Sequence, residues 1–186
     1  MAEFRYDLKI PKERVAVLIG KHGEIKKRLE QESGCNIDVD SKEGDVIITG
    51  DDAIRLYTVR EVIRAVSRGF NPDVALRLLK QDYLFEVISL NDIARHKNDM
   101  LRLKGRVIGS EGKARRNIES LTECTISVYG KTIGMIGPAE SIGLARRAVE
   151  QILKGSTHSS VYKWLEKKHA EMKRQEILGK KAELRK

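Results

Sequence analysis

Two copies of one glycine motif constrain the fold of this chain more than any other feature. The copies are Leu18-Ile19-Gly20-Lys21-His22-Gly23 and Val107-Ile108-Gly109-Ser110-Glu111-Gly112, 89 residues apart. In each, an apolar pair leads into two glycines and then into a helical pattern rich in lysine and arginine. Glycine lets a backbone turn approach a phosphate closely, and a helix N-terminus behind the turn favours an anion. The repeat therefore predicts two related modules, each built to hold a polyanion.

The apolar pattern extends the repeat beyond the glycines. At an offset of 89 residues Cys35 matches Cys124, and after the offset falls to 87 Gly50 matches Gly137. A difference of two residues between two strands is what a hairpin loop accommodates. Each module is therefore predicted to run strand, helix, glycine turn, helix, two strands and helix, an α+β order of βααββα.

Hydrophobic periodicity and capping residues place these elements along the chain. The predicted strands are 3–10, 36–40, 45–49, 83–90, 125–129 and 132–136, and the predicted helices include 24–33, 52–68, 72–80 and 138–154. Asp51 or Asp52 is expected to cap the helix at 52–68, and Asn71 the helix that starts at Pro72. The inward residues of the helix at 52–68 are predicted to be Ile54, Val59, Val62, Ile63 and Val66.

These elements predict two small domains with a linker and a tail. Residues 1–69 form the first domain, 70–82 a helical linker, 83–159 the second domain, and 160–186 a basic C-terminal helix or tail. Val161, Trp164 and Leu165, with Tyr162 nearby, are expected to pack on the second domain, and the charged remainder to form an exposed helix. Contact of that helix with phosphates, with a partner protein or with solvent alone is compatible with the pattern.

Composition excludes several classes of protein. No run of 18 apolar residues is present, so no membrane span is expected, and the polar N-terminus predicts no secretory signal and a cytoplasmic location. The two cysteines are expected in equivalent core positions rather than in a disulfide. The four histidines lack metal-ligand spacing, so no metal or other cofactor is expected.

The positive charge is unevenly distributed along the chain. The formal net charge is +9, yet residues 1–70 hold 13 basic and 13 acidic residues. The excess lies in residues 71–159, with 14 basic and 10 acidic residues, and in residues 160–186, with 9 basic and 4 acidic. Such a distribution is expected of a nucleic-acid binder, although a solvated surface can also be basic.

Spacing excludes two other phosphate-binding loops. A Walker A loop would need glycine and a hydroxyl where the chain has Val107 and Ala114, and a dinucleotide fingerprint would need a third glycine at Lys26 or Arg115. The Ile-Gly-Xaa-Xaa-Gly turn between two helices instead resembles the K-homology (KH) domain of the eukaryotic type. The resemblance implies two tandem KH domains, each a three-stranded sheet with helices on one face, that clamp about four single-stranded nucleotides.

The resemblance also implies which residues contact RNA. In the second domain the backbone clamp is expected at Gly109, Ser110, Glu111 and Gly112, positive potential at Lys113, Arg115, Arg116, Arg106, Lys104 and Arg102, and an apolar groove or underlying core at Val107, Ile108 and Ile126. In the first domain the expected residues are Gly20, Lys21, His22, Gly23, Lys26 and Lys27. The alternative is that either turn is only a tight connection between helices.

The two turns are predicted to be unequal. Glu111 puts a carboxylate beside the expected phosphate unless it points to solvent, and Ala114 replaces a larger apolar residue, which would widen the groove. Lys21 and His22 suit an anion better, but acidic residues surround that turn. The charge distribution ranks the second domain as the main site and the first as auxiliary.

Two longer stretches resemble a narrower family. LKGRVIGSEGK at 103–113 and SVYGK at 127–131 are similar to archaeal two-KH ribosomal-RNA-processing proteins, whose eukaryotic counterpart is the small-subunit assembly factor Partner of Nob. This resemblance implies binding of single-stranded RNA near the 16S rRNA 3′ end. It also implies two protein partners, the Nob endonuclease and the alpha subunit of archaeal initiation factor two.

Other functions stay open beside this leading hypothesis of a non-catalytic RNA-binding factor for small-subunit assembly and rRNA processing. An RNA-acting enzyme such as a nuclease would need paired carboxylates, a nucleophile with its base or a metal cluster, and none stands out in the sequence. A scaffold would use the two modules for protein contacts only. A general mRNA-binding regulator would share the same glycine turns.

Overall fold

The computed structural model describes residues 4–183, including every side chain in that range except those of 176 and 178–183. Glu3 of the predicted first strand and residues 184–186 of the predicted tail lie outside it. The strands are β1 (Phe4–Lys9), β2 (Asn36–Val39), β3 (Asp45–Gly50), β4 (Tyr83–Ser89), β5 (Thr125–Tyr129) and β6 (Thr132–Pro138). The helices are α1 (Lys12–Ile19), α2 (Glu24–Ser33), α3 (Ala53–Ser67), α4 (Pro72–Ala75), α5 (Lys97–Ile108), α6 (Lys113–Thr122), α7 (Ala139–Leu153) and α8 (His158–Glu183).

Both halves of the chain form a three-stranded antiparallel sheet of the same topology, β1-β3-β2 in the first and β4-β6-β5 in the second. The predicted α+β class and the βααββα order are therefore confirmed. Local capping is also as predicted, because Asp52 accepts hydrogen bonds from the amides of Ile54 and Arg55, and Asn71 accepts one from Asp73. The predicted linker holds α4 and a short 3-10 turn, while the domain limits themselves stay a prediction.

The predicted inward orientation of Ile54 is wrong. Its side chain is 79% exposed, whereas the other four predicted inward residues of α3 are buried, together with Leu56. Successive residues of a helix turn by about 100°, so Ile54 lies about 200° from Leu56 around the helix axis. Leu56 therefore begins the buried stripe, and Ile54 faces the opposite side.

The start of α8 packs on the second domain, as predicted. Val161 and Leu165 are fully buried, and both belong to the core that the second sheet shares with its helices. Trp164 is partly buried, and the guanidinium of Arg147 lies 5.2 Å from its ring centroid. The remainder of α8 to Glu183 is helical and largely exposed over its described side chains.

The outer face of the second sheet is covered by the first half of the chain. Phe70 lies against Gly134 and meets Phe85 edge-on, with the ring centroids 5.8 Å apart. Ile136, on the same face of the sheet, packs into the hydrophobic core of the first half. The outer face of the first sheet instead carries exposed charged residues of β1. One continuous apolar contact therefore joins the two halves.

A group of polar contacts fastens the β5–β6 hairpin to α1 and to the end of α3. The hydroxyl of Tyr129 donates to the carboxylate of Glu13 at 2.5 Å, and the guanidinium of Arg14 lies 5.8 Å from the Tyr129 ring centroid. The hydroxyl of Ser127 donates to the carbonyl of Arg68 at 2.9 Å. The hydrogen bond lowers the pKa of Glu13 and raises the pKa of Tyr129. These contacts hold the hairpin of the second domain against the first.

Replacing Phe70 by alanine is expected to lower the free energy of unfolding by about 3–5 kcal/mol, because a buried aromatic ring is lost from the contact between the halves. The matched control is Ile54→Ala, expected to change it by no more than about 0.5 kcal/mol, because the side chain is exposed. Urea unfolding followed by circular dichroism measures both. Equal losses in the two variants would contradict the packing described.

Lowering the pH is expected to break the hydrogen bond between Tyr129 and Glu13. The pKa of Glu13 is lowered in the folded protein, so the stability from this bond is complete above the unfolded pKa of about 4.3. It is lost as the pH falls through the lower folded value. NMR titration of the Glu13 carboxyl should therefore give a higher pKa in Tyr129→Phe than in the wild type. The same pKa in both proteins would mean that the bond does not form in solution.

Candidate nucleic-acid interface

The two glycine turns have nearly the same backbone conformation. Gly20 has φ 76° and ψ 174°, and Gly109 has φ 73° and ψ 174°. The second glycines, Gly23 and Gly112, are left-handed, with φ 78° and 75°. In each case a single 3-10 turn links two helices. The repeat seen in the sequence is thus a repeat in backbone structure.

The first glycine of each turn has no room for a side chain. Its combination of positive φ and extended ψ is essentially confined to glycine. A Cβ on Gly109 would lie 2.7 Å from the backbone nitrogen of Ala114, and a Cβ on Gly20 would lie 2.9 Å from that of Ile25. The second helix can therefore begin directly against the turn. Ala114, predicted to widen the groove, is buried against Gly109.

The two middle residues of each turn are exposed. Glu111, whose orientation the sequence left open, points to solvent, and its carboxylate lies 3.2 Å from the ammonium of Lys113. Both Glu111 and His22 are left-handed, with φ 52° and 54°. The turn leads into the N-terminus of the following helix, where unpaired amides and the helix dipole favour an anion. An extended phosphate backbone could thus meet the exposed tip without a steric barrier.

Partners inside the protein hold several of the predicted cations. The pairs are Arg102 with Asp99 at 2.6 Å, Lys113 with Glu111 at 3.2 Å, Arg115 with Glu119 at 3.8 Å and Lys26 with Glu30 at 3.4 Å. The hydrogen bond from Arg102 lowers the pKa of Asp99. Four other predicted cations have no such pair among the described side chains, namely Lys21, Lys27, Lys104 and Arg116. Each domain therefore keeps two predicted cations that have no internal partner within the described part of the chain. In the number of such cations the two domains are equal, although their net charges differ.

Arg106 is used inside the protein. Its guanidinium donates to the carbonyls of Ile152, at 3.1 Å, and Ser156, at 2.7 Å. Its own carbonyl lies 2.7 Å from Nε2 of His158, which must carry the proton because a carbonyl only accepts. Together these bonds tie the last turn of α5 to the end of α7 and the start of α8. Arg106 thus supports the second glycine turn, and its contact with RNA stays a prediction.

Burial decides between the two roles expected for the apolar residues near the second turn. Val107 and Ile126 are buried in the core of the second domain, so they underlie the surface rather than line a groove. Ile108 is half-buried, as is Val128 on the edge strand β5. The first domain repeats this arrangement at the equivalent positions.

Two glutamates that the sequence analysis did not single out join the second helix of each turn to an edge strand. Glu119 accepts a hydrogen bond from the amide of Ile126 at 2.8 Å, and Glu30 accepts one from the amide of Ile37 at 2.9 Å. The glutamates lie 89 residues apart, so the repeat itself contained the signal. Because β2 and β5 are edge strands, each glutamate links the second helix of its turn to the open edge of a sheet.

The cysteines and histidines have no metal-binding arrangement where the structure can be described. Among the side chains of residues 4–175 and 177, no group of three or more histidine, cysteine, aspartate or glutamate residues could hold a metal ion. Cys35 and Cys124 are free and buried in equivalent positions, as predicted, and burial raises the pKa of both thiols. Over the same range, no helix is long and apolar enough to cross a membrane.

Family models and curated relatives match both halves of the chain. A model described as KH domain matches residues 5–65, and one described as Eukaryotic type KH-domain (KH-domain type I) matches residues 84–170. The KH domain-containing protein MJ0443 of Methanocaldococcus jannaschii is 47% identical over 171 residues, which cover 90% of this chain and 75% of that protein. RNA-binding protein PNO1 of Oryzias latipes is 34% identical over 113 residues, or 60% of this chain and 46% of that protein.

A solved structure shares the whole architecture. The chain matches one in the crystal structure of the a/eIF2alpha-aDim2p-rRNA complex from Pyrococcus horikoshii with 39% identity and a TM-score of 0.84, covering 91% of this chain and 96% of that one. Both the fold and the resemblance drawn from the glycine turns are thereby confirmed. The chain belongs to the family of archaeal two-KH-domain proteins that includes MJ0443 and Dim2p and is related to eukaryotic PNO1.

Proposed function

We propose that this protein is a single-stranded RNA-binding factor for small-subunit assembly and rRNA processing, and that it binds near the 3′ end of 16S rRNA. The observation that carries the proposal is the pair of glycine turns with the same strained backbone and exposed tips. A relative of the same family occurs in a complex with rRNA and a/eIF2alpha. We extend both partners to this chain, and add the Nob endonuclease as the nuclease that would receive the bound RNA.

The geometry suggests how RNA would be held. Phosphates would approach the amides of each turn, because no side chain stands on its first glycine. Lys104 and Arg116 would supply charge at the second turn, and Lys21 and Lys27 at the first. Bases would lie toward the half-buried apolar residues between the second helix and the edge strand. Because the two turns share one backbone shape, we propose that both bind RNA. The charge distribution alone predicts a main site in the second domain and an auxiliary site in the first.

Binding and presentation of RNA, rather than catalysis, is the proposed activity, and the cytoplasm is its proposed location. The competing enzyme hypothesis is tested by incubating the protein with labelled rRNA precursor and a divalent metal ion. Site-specific cleavage would overturn the binding-only function. The scaffold hypothesis is tested by salt, because phosphate binding weakens steeply as the salt concentration rises.

Carboxylates in the middle of the turns are expected to weaken RNA binding without disturbing the glycines. The variants are Lys21→Asp with His22→Asp, and Ser110→Asp with Glu111→Asp, at exposed positions. The first variant adds two carboxylates and the second adds one. Each should lower affinity for a single-stranded oligonucleotide of the 16S rRNA 3′ region by about tenfold or more, about 1.4 kcal/mol, because a new carboxylate at the tip repels the phosphate. Aspartate is among the residues that tolerate left-handed backbone, so the fold should persist.

The matched control for the first variant adds two carboxylates elsewhere. Ala53→Asp with Ile54→Asp changes two exposed residues at the start of α3. This helix end lies near Gly34 at the C-terminal end of α2, whereas the first turn lies at the other end of α2. Fluorescence anisotropy measures all affinities, and circular dichroism checks the fold. Wild-type affinity in both turn variants would refute the proposed clamp.

A further inference from the structure

Two neighbouring arginines of α6 have different surroundings. The guanidinium of Arg116 stands beside the second turn, with Nη1 3.1 Å from the position that a Cβ on Gly112 would take. Arg115 has a buried Nε with no hydrogen-bond partner among the described residues. Its side chain is nevertheless 41% exposed, so part of it is open to a ligand. The same helix thus carries one arginine beside the turn and one with a buried Nε.

Glu119 lies between Arg115 and the edge strand β5. One carboxylate oxygen of Glu119 lies 3.8 Å from Nε of Arg115, and the other accepts the hydrogen bond from the edge-strand amide of Ile126. Because this glutamate is bonded to β5, the ion pair places Arg115 between α6 and the strand. A planar guanidinium offers two parallel donors, which suits directional recognition more than diffuse attraction.

The first domain has the equivalent glutamate and strand amide, but lysine takes the place of Arg115. Lys26 lies 3.4 Å from Glu30, and Glu30 accepts the hydrogen bond from the amide of Ile37. Lysine at this position is a point charge with rotatable donors, whereas arginine adds a rigid fork. A glutamate bonded to the edge-strand amide can therefore pair with either cation. The two domains differ in the hydrogen-bond donors that this cation carries.

The position of Arg115 separates it from the phosphate site. Consecutive residues of a helix are rotated by about 100° around its axis, so the side chains of Arg115 and Arg116 leave α6 in different directions. The ion pair with Glu119 places Arg115 toward β5. The bases of an RNA held at the turn would lie on this side. Arg116 stays beside the turn itself, where the phosphates would lie.

We infer that Arg115 is a specificity-determining residue that donates two hydrogen bonds to one base of a bound single-stranded RNA, whereas Arg116 contacts phosphate. Guanine, through O6 and N7, forms the commonest bidentate contact of an arginine fork, and cytosine, through O2 and N3 of its Watson–Crick edge, is the alternative that the experiment separates from it. The inference rests on the proposed function, since it places a base in the groove of the second domain. It assigns to neighbouring residues two roles that net charge does not distinguish.

The experiment compares Arg115→Lys with Arg116→Lys, because both substitutions keep the charge and remove only the fork. The probe is a pool of 8-nucleotide single-stranded RNAs randomised at every position, with affinities read by sequencing of the bound fraction. Arg115→Lys is expected to reduce a guanine preference at one position by about tenfold, with the salt dependence unchanged. Arg116→Lys is expected to keep the wild-type preferences, because a phosphate requires charge alone.

A third variant and the fold controls complete the design. Arg116→Gln should weaken binding to all sequences alike and reduce the slope of log affinity against log salt by about 0.7. Arg115→Lys should fold normally, because lysine already pairs with the equivalent glutamate in the first domain, as Lys26 with Glu30. Urea unfolding checks this. Three outcomes would overturn the inference. They are unchanged base preferences in Arg115→Lys, an equal loss of affinity for all sequences in that variant, and no guanine preference in the wild type. Failure of the proposed function is distinct, because the turn variants would then bind as the wild type does.

Discussion

The close approach of the backbone at Gly20 and Gly109 to the start of the following helix is the contact on which both candidate sites depend. A Cβ at either position would meet the backbone nitrogen of the residue five positions later, within 3 Å. No other residue type can occupy such a position without moving the helix. The glycine therefore sets where the second helix begins, and the two middle residues of the turn are exposed.

Charge acts locally in this protein, and net charge describes it poorly. The second domain carries a basic excess, yet Arg106 satisfies backbone carbonyls and Arg102 is paired on its own helix. The first domain has no net charge, yet Lys21 and Lys27 are exposed beside its turn. A cation paired with a carboxylate adds little to the field felt by a ligand, whereas Arg106 keeps its charge but directs its donors to carbonyls inside the protein. The two turns are consequently more alike than their sequences indicate.

Contacts between residues close in sequence were predictable, and those between distant residues were not. The caps at Asp52 and Asn71 act within three residues, so the local sequence predicts them. The apolar character of Ile54 predicts the wrong face, because its angle around the helix axis places it opposite Leu56. The bond between Glu13 and Tyr129 spans 116 residues and has no local pattern. Glu119 was accessible through the internal repeat, which preserved both the glutamate and the strand amide that it binds.

The sequence by itself determined the two modules, their element order and the shape of their turns, because glycine spacing and apolar periodicity act through local sterics and burial. Only the tertiary structure decided which face of each sheet is covered, since the exposed β1 face and the buried β6 face depend on how the halves pack. It also decided which cations have internal partners. Those partners lie on other elements or other turns of the helix, and only folding brings their atoms within bonding distance.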